Sequence, residues 1–165
     1  MTLTQIRGEQ IQYPVPMMKQ DSTYHVFGGF QGSTEEISIG ADTWVHITNI
    51  GNNLWTGLEV DGFSLVADEL IVTNTGDYCG TLSLTFSGGN GKDYLFRIYN
   101  LTQVEVAGYV IGASGAGDGN YTNACIPLYL EANAGDHYQM QIYEVDGTNA
   151  TMRNAIFYLT YLHER

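Results

Sequence analysis

The four histidines are the first side chains to test for chemistry, because imidazole is both a common metal ligand and a common general base. They are His25, His46, His137 and His163. No two of them have the His-x-His or His-x-x-x-His spacing that places two imidazole rings on one face of a strand or helix. The sequence therefore gives no reason to expect a metal-dependent barrel enzyme, although a metal site that forms only in three dimensions stays open.

The glycine-rich segments do not match the motifs that bind phosphate or activate a serine. Gly112-Ala-Ser-Gly-Ala116 lacks one glycine of a nucleophile elbow. Gly91-Lys92 is followed by Asp93 rather than by serine or threonine, and residues 115–119 lack the spacing of a dinucleotide-binding loop. The scattered carboxylates share no calcium-binding or acid–base motif. We therefore expect a protein that is not an enzyme and that carries no cofactor.

Two loop aromatics are candidates for ligand binding, since indole and phenol rings stack on sugars. Trp55 lies between Asn52-Asn53 and Thr56-Gly57 in a loop-like stretch, and Tyr121 follows a glycine-rich segment. Most aromatic residues of β proteins nevertheless belong to cores or interfaces. Trp55 and Tyr121 therefore define a ligand platform only for an alternative function, that of a carbohydrate-binding module.

The charge balance argues against nucleic acid as a partner. Six basic residues against 18 acidic ones give a formal net charge of −12, so a phosphate backbone would be repelled. Selection for solubility explains the same charge. No segment approaches the roughly 20 apolar residues that span a bilayer, which predicts that the protein does not insert into a membrane.

Two further features bear on the compartment. Residues 1–7 lack the charged start and apolar run of a signal peptide, so synthesis in a cytoplasm is expected. Cys79 and Cys125 are the only cysteines and form no Cys-x-x-Cys pair. Two free thiols are the simpler expectation, while a disulfide between them stays open.

Apolar residues recur with the two-residue period of β-strands, as in the alternation of Leu82, Leu84 and Phe86 with small polar residues. Turn residues separate such runs every ten to fifteen positions. The length of 165 residues and the hydrophobic content of 44% suit one domain. We predict an all-β fold of two packed antiparallel sheets over residues 21–165, preceded by an extended N-terminal arm, residues 1–20. The expected strands are Thr23–Phe30, Glu36–Ile39, Trp44–Ile50, Gly62–Val66, Glu69–Thr73, Asp77–Phe86, Tyr94–Tyr99, Val104–Ile111, Cys125–Leu130, Tyr138–Val145 and Ala155–Leu162.

The first and last strands carry more apolar residues than one buried face requires. In the last strand Ile156 and Tyr158 alternate with further apolar residues, so both faces favour burial. If the two strands lie side by side, their second faces form one apolar patch of the kind that marks subunit contacts. Alternatively, the N-terminal segment folds back and covers the patch within one chain. The candidate interface residues are Tyr24, Val26, Phe157, Leu159 and Tyr161.

Four passages of the chain carry a likeness to a known family. They are Trp44-Val-His-Ile-Thr48, Gly76-Asp-Tyr78 with the strand after it, Leu130 to Asp136, and Phe157 to Leu162. Their order over residues 23–162 resembles the trimeric jelly roll of complement globular heads and tumour necrosis factors, and more closely its relatives among bacteriophage virion proteins. In that family Gly-x-Tyr starts a central strand and Gly-Asp precedes the penultimate one. A bulky residue, Tyr158 or Leu159, replaces the small residue usual in the family's last strand.

The resemblance implies a jelly-roll sandwich that assembles as a homotrimer, with the candidate residues at the trimer interface. Together with the arm and the absence of a signal pattern, it favours a non-enzymatic virion structural protein: a head decoration protein, a head fibre or a tail appendage. Such a protein is made in the host cytoplasm, resides in the virion and contacts other virion proteins through its arm. The alternative is a carbohydrate-binding module that uses Trp55 and Tyr121 on a host-surface glycan, and the two functions can coexist.

Overall fold

A computed structural model of the chain describes residues 25–31, 36–47, 56–60, 62–117 and 119–164. Within these residues every regular element is a β-strand, and there are twelve. The strands are β1 (His25–Gln31), β2 (Glu36–Ile37), β3 (Val45–His46), β4 (Thr56–Val60), β5 (Phe63–Val66), β6 (Glu69–Val72), β7 (Gly76–Gly88), β8 (Asp93–Asn100), β9 (Glu105–Ser114), β10 (Thr122–Ala132), β11 (His137–Glu144) and β12 (Ala150–His163).

The strands form two antiparallel sheets that pack face to face. The first sheet has the order β10-β7-β12-β1-β4, with β2 beside β12, and the second has the order β5-β6-β11-β8-β9, with β3 beside β11. Strands β9 and β10 lie next to each other and close one side of the sandwich. The first and last strands are neighbours, since β1 pairs with β12 along its whole length. The predicted all-β, two-sheet jelly-roll sandwich is confirmed.

The core follows directly from the two-residue period. On β7, Leu82, Leu84 and Phe86 are buried, while the residues between them face outward. On β8, Tyr94 and Phe96 are buried in the same way, and both rings pack edge-on against Phe86, with centroids 5.3 and 4.9 Å away. Burial of each such side chain contributes about 1.5–3 kcal/mol, so this cluster holds the two sheets together.

The Gly-x-Tyr passage at the start of β7 has a packing explanation. Tyr78 is fully buried, its hydroxyl donates to the carbonyl of Asn74, and its ring lies edge-on to Phe63 and Tyr161. A Cβ on Gly76 would overlap the ring of Tyr161. Gly76 therefore leaves space for the ring of Tyr161, and Tyr78 packs against that ring.

The Gly135-Asp136 turn connects three parts of the second sheet. Asp136 is buried, and its carboxylate accepts hydrogen bonds from the backbone N–H of Asn133, at 2.9 Å, and from the amide of Gln103, at 3.2 Å. The backbone of the same turn exchanges two hydrogen bonds with Val72 at the end of β6. Gly135 has a φ of 89°, a conformation that favours glycine. The Gly135-Asp136 dipeptide therefore connects the start of β11 to β6 and to the segment between β8 and β9.

Most expected strands are present with shifted ends, and β3 is shorter in the described residues, Val45–His46 rather than Trp44–Ile50, but β4 and β12 depart most from the expected map. Strand β4 pairs with β1, where the sequence predicted no strand, because five residues that include a glycine show too little alternation to be recognised. Strand β12 begins at Ala150 rather than at residue 155. A register shift between Met152 and Asn154 interrupts the two-residue period there, so the first residues of the strand do not show the alternation from which a strand is predicted.

The orientation of β12 corrects one premise of the sequence analysis. Phe157 and Leu159 are 3% and 1% exposed, so they belong to the core of a single chain rather than to an outward patch. The outward face of β12 carries Ile156 and Tyr158 instead. Both faces of the strand are apolar, so the two-residue period alone does not show which face is buried in the core. Whether β12 contributes to a subunit interface stays a prediction.

Substitution of Gly80 is expected to destabilise the fold, because a Cβ at this position would overlap the carbonyl oxygen of Tyr158 on β12. The backbones of β7 and β12 would have to separate, so Gly80→Ala should lower the free energy of unfolding by about 1–3 kcal/mol in urea titrations. The control is Gly40→Ala, whose Cβ would meet only Thr43 at an ordinary 3.6 Å. Equal stability of the two variants would contradict the packing described here.

Candidate functional site

The outward face of the second sheet carries a layer of polar and aromatic side chains. Gln141 on β11 lies opposite His46 on β3 and opposite Arg97 on β8. Gln139, two residues earlier, lies opposite Tyr99. The alternation on β8 and β11 places these side chains outward because their neighbours are buried in the sandwich. We call this surface the amide face.

Hydrogen bonds link the amide face in one continuous chain. Arg97 Nε donates to Gln141 Oε1 at 2.8 Å, Gln141 Nε2 donates to Gln139 Oε1 at 3.1 Å, and Gln139 Nε2 donates to Glu69 Oε1 at 2.9 Å. A guanidinium only donates and a carboxylate only accepts. The two ends of the chain therefore determine the orientation of both amides, and all the N–H groups point from Arg97 towards Glu69.

Arg97 is held between two aromatic rings. Its guanidinium carbon lies 3.9 Å from the centroid of the Trp44 ring and 4.4 Å from that of Tyr99. Trp44 in turn packs against Tyr143 at 5.2 Å. Burial lowers the pKa of Arg97 and the charge of Tyr99 opposes that effect, but a guanidinium stays protonated at any physiological pH. The face thus contains a permanent cation with a restricted orientation.

The other end of the amide face is anionic. Glu69 Oε2 lies 2.9 Å from His137 Nδ1. Burial raises the pKa of Glu69, but hydrogen bonds from His137 and Gln139 and the nearby imidazoles outweigh it, so the net pKa falls below its ordinary value. Burial lowers the pKa of His46, whose Nε2 lies 3.1 Å from the carbonyl of Asp68, so this ring is neutral at pH 7 and donates there.

The outward face of the first sheet has a different character. Tyr129 on β10 and Tyr158 on β12 are 49% and 44% exposed. Between them runs β7, whose side chains on this part of the face are small, as at Thr81 and Ser83. The two tyrosines therefore border a shallow trough along the middle of the sheet.

Both cysteines lie on this same face and are free thiols. Cys79 pairs across the strands with Tyr129, whereas Cys125 pairs with Ser83. Four residues of one strand separate the two positions, about 13 Å, which is far beyond the reach of a disulfide. The expectation of two free thiols is confirmed for the single chain.

The edge of the sandwich at β9 is also apolar and exposed. Tyr109 is 67% exposed, Val110 46% and Val106 39%. This edge adjoins the trough, since β9 lies beside β10. Within the described residues the molecule therefore presents exposed tyrosines on two different surfaces, the trough and the β9 edge.

The remaining candidate residues from the sequence are not brought together. Tyr161 is partly buried against Tyr78. Tyr121 is 47% exposed, with the guanidinium of Arg153 6.0 Å from its ring. Tyr24, Trp55 and the expected arm lie outside the described residues, and Val26 is described only as part of the backbone of β1.

Neither a cluster of metal-binding side chains nor a membrane-spanning helix occurs in the described residues. No group of three or more histidine, cysteine or carboxylate side chains has an arrangement that could hold a metal ion in this part of the chain. The same part contains no helix with the length and apolar character needed to cross a bilayer.

Comparison with solved structures places this architecture among known jelly rolls. The Eiger TNF of S. frugiperda matches with a TM-score of 0.63 at 11% identity over 87% of this chain and 94% of that one. Murine APRIL at pH 8.0 matches with a TM-score of 0.60 at 11% identity, over 86% and 100%. The globular domain of zebrafish complement 1qA protein matches with a TM-score of 0.57 at 10% identity, over 87% and 98%. No protein-family model and no curated protein matches the sequence. The likeness shows a fold of the tumour necrosis factor and complement type.

The sequence analysis did not identify the amide face. Glu69 is 68 and 70 residues away from His137 and Gln139, and Arg97 is 44 residues away from Gln141. The alternation Gln139-Met-Gln141 shows that two amides share a face, but not which strands lie next to them. Strand order supplies that information, and one sequence does not contain it.

Acid is expected to weaken the contact between β6 and β11. Because the pKa of Glu69 is lower in the folded state, its stabilisation is complete above the unfolded-state pKa and is lost as the pH falls below about 4.5. The free energy of unfolding of the parent chain should therefore fall between pH 7 and pH 3.5. That of Glu69→Gln should fall by about 0.5–1 kcal/mol less over the same range. Glu164→Gln, at an exposed terminal position, serves as the control and should behave like the parent. An identical pH dependence in Glu69→Gln would show that this carboxylate does not contribute.

Proposed function

We propose that the chain is a non-enzymatic structural subunit that assembles as a homotrimer through the outward face of its first sheet. The observation that carries the proposal is the trough, where Tyr129 and Tyr158 remain about half exposed on either side of small residues. Exposed aromatic side chains of this kind are enriched in protein–protein interfaces. A groove bordered by rings accepts a protruding apolar edge from another molecule.

The β9 edge is the surface that fits this trough. Tyr109 and Val110 protrude from the edge, and they are chemically different from the surface that they would contact. A contact between two different surfaces of identical chains is heterologous, and it forms a closed ring when each copy is rotated by a fixed angle. The resemblance to tumour necrosis factors and complement heads implies that this ring has three members.

The role in a virion rests on the resemblance of residues 23–162 to bacteriophage virion proteins. In this proposal residues 1–20 attach the trimer to other virion proteins, as a head decoration protein, head fibre or tail appendage. The protein would be made in the host cytoplasm and end in the particle. The carbohydrate-binding alternative through Trp55 and Tyr121 stays a separate hypothesis, supported among the described residues by the exposure of Tyr121.

A charge placed in the trough is expected to break the assembly. Light scattering should give the parent chain a mass near three times 18.2 kDa. Tyr158→Asp should shift this mass to that of one chain, because a carboxylate would lose its water on contact with the apolar edge of the neighbour. The control is Val145→Asp, at an apolar position outside both surfaces that is 57% exposed, against 44% for Tyr158. A parent chain that is monomeric at micromolar concentration would refute the proposed trimer.

The virion role makes its own prediction. Mass spectrometry of purified particles from the producing host should detect the chain at a fixed ratio to the major capsid protein. Deletion of residues 1–20 should remove it from the particles and leave the free protein trimeric. Absence of the full-length chain from the particles would refute the virion role while leaving the trimer untouched.

A further inference from the structure

We propose that the amide face binds an acidic saccharide, with Arg97 holding the carboxylate of the sugar. This inference does not depend on the proposed trimer. It concerns the outward face of the second sheet, whereas the proposed trimer contact uses the trough of the first sheet and the β9 edge.

The first step of the argument is the charge of Arg97. Three basic residues fall within the described part of the chain: Lys92, Arg97 and Arg153. Lys92 forms an ion pair with Asp146. Arg97 takes part in no ion pair among the described residues, where its partners are an amide oxygen and two aromatic rings. A cation without a carboxylate partner is notable in a chain with a net charge of −12, and it favours an external anion.

The second step is preorganisation. Trp44 and Tyr99 both pack against the guanidinium, and Gln141 accepts a hydrogen bond from its Nε–H. The Nη groups keep their donors for a ligand, in the planar fork that matches the two oxygens of a carboxylate. Since the rings already restrict the side chain, binding loses little rotamer entropy.

The third step is the composition of the rest of the face. Gln139 and Gln141 each retain one amide N–H beyond those used in the chain of hydrogen bonds, and Gln139 is the more accessible because Gln141 is only 8% exposed. The two amide groups are joined by a hydrogen bond of 3.1 Å, so neighbouring hydroxyl groups of one sugar ring can reach this part of the face. Glu69, at the far end, accepts hydrogen bonds and repels anions. The face therefore suits a ligand with one carboxylate over Arg97 and neutral hydroxyl groups over the amides and Glu69.

This arrangement selects against other anions. A nucleic acid or polyphosphate would place further negative charges over Glu69 and against a chain of charge −12. A peptide acid also satisfies Arg97, and its carbonyl groups can accept from the amides, but it lacks the hydroxyl groups that both accept from the amides and donate to Glu69. A saccharide that contains a uronic or sialic acid supplies both.

The test is calorimetric titration of the full chain with two matched pairs of sugars, digalacturonate with its methyl ester and sialyllactose with lactose. At least one acid should bind, and its uncharged partner should bind at least about tenfold more weakly, since the charge-assisted hydrogen bonds to Arg97 are lost. Arg97→Gln should weaken the acid by a similar factor. Arg97→Lys retains the charge but loses the planar fork, and should bind with intermediate strength.

The control variants separate this face from other sites. Arg153→Gln removes the other unpaired guanidinium of the described residues, beside Tyr121, and should leave binding unchanged. Trp55→Ala and Tyr121→Ala should do the same. Circular dichroism and thermal melting establish whether each variant folds. If Arg97→Gln does not fold, Arg97→Lys still tests the proposal.

Three outcomes would overturn the proposal. The first is the absence of binding of either acid at millimolar concentration. The second is binding of an acid with an affinity that neither Arg97→Gln nor Arg97→Lys changes. The third is equal affinity for acetyl-glycyl-glycine, a carboxylate without sugar hydroxyl groups, which would show that the amides contribute no recognition of a saccharide.

Discussion

The close contact between β7 and β12 is the constraint on which the rest of the molecule depends. Gly76 leaves space for the ring of Tyr161, and Gly80 lets the carbonyl of Tyr158 approach the opposite backbone. With the two backbones at this distance, Tyr78 packs between the sheets and organises one end of the core. The same strand turns small side chains outward, so one local feature produces both the interior of the sandwich and the trough on its surface.

The fold was predictable from local pattern, whereas the functional surfaces were not. The alternation of buried and exposed residues is visible within a single strand. Leu82, Leu84 and Phe86 therefore predicted both a strand and its buried face. On β12 both faces are apolar, and only packing against the other sheet decides that Phe157 turns inward. The neighbours of Gln139 and Gln141 depend on strand order, which arises from contacts between residues tens of positions apart.

The two sheets differ in the chemistry of their outward faces. The first offers aromatic rings, small side chains and two thiols, a surface that gains stability by excluding water. The second offers amides, a guanidinium and a carboxylate, a surface on which directional hydrogen bonds matter more than area. The proposed division between self-assembly on one side and ligand recognition on the other follows from this difference, and a jelly roll is suited to it because its two faces can vary independently.

The orientation of the amides has a geometric consequence. Because the hydrogen bonds of the amide face all run from the donor Arg97 to the acceptor Glu69, the surface has a cationic end and an anionic end, and an elongated molecule meets different groups at each. In an assembly with threefold symmetry, rotation would carry this direction around the axis without reversing it. All three surfaces would then present the same polarity with respect to the axis.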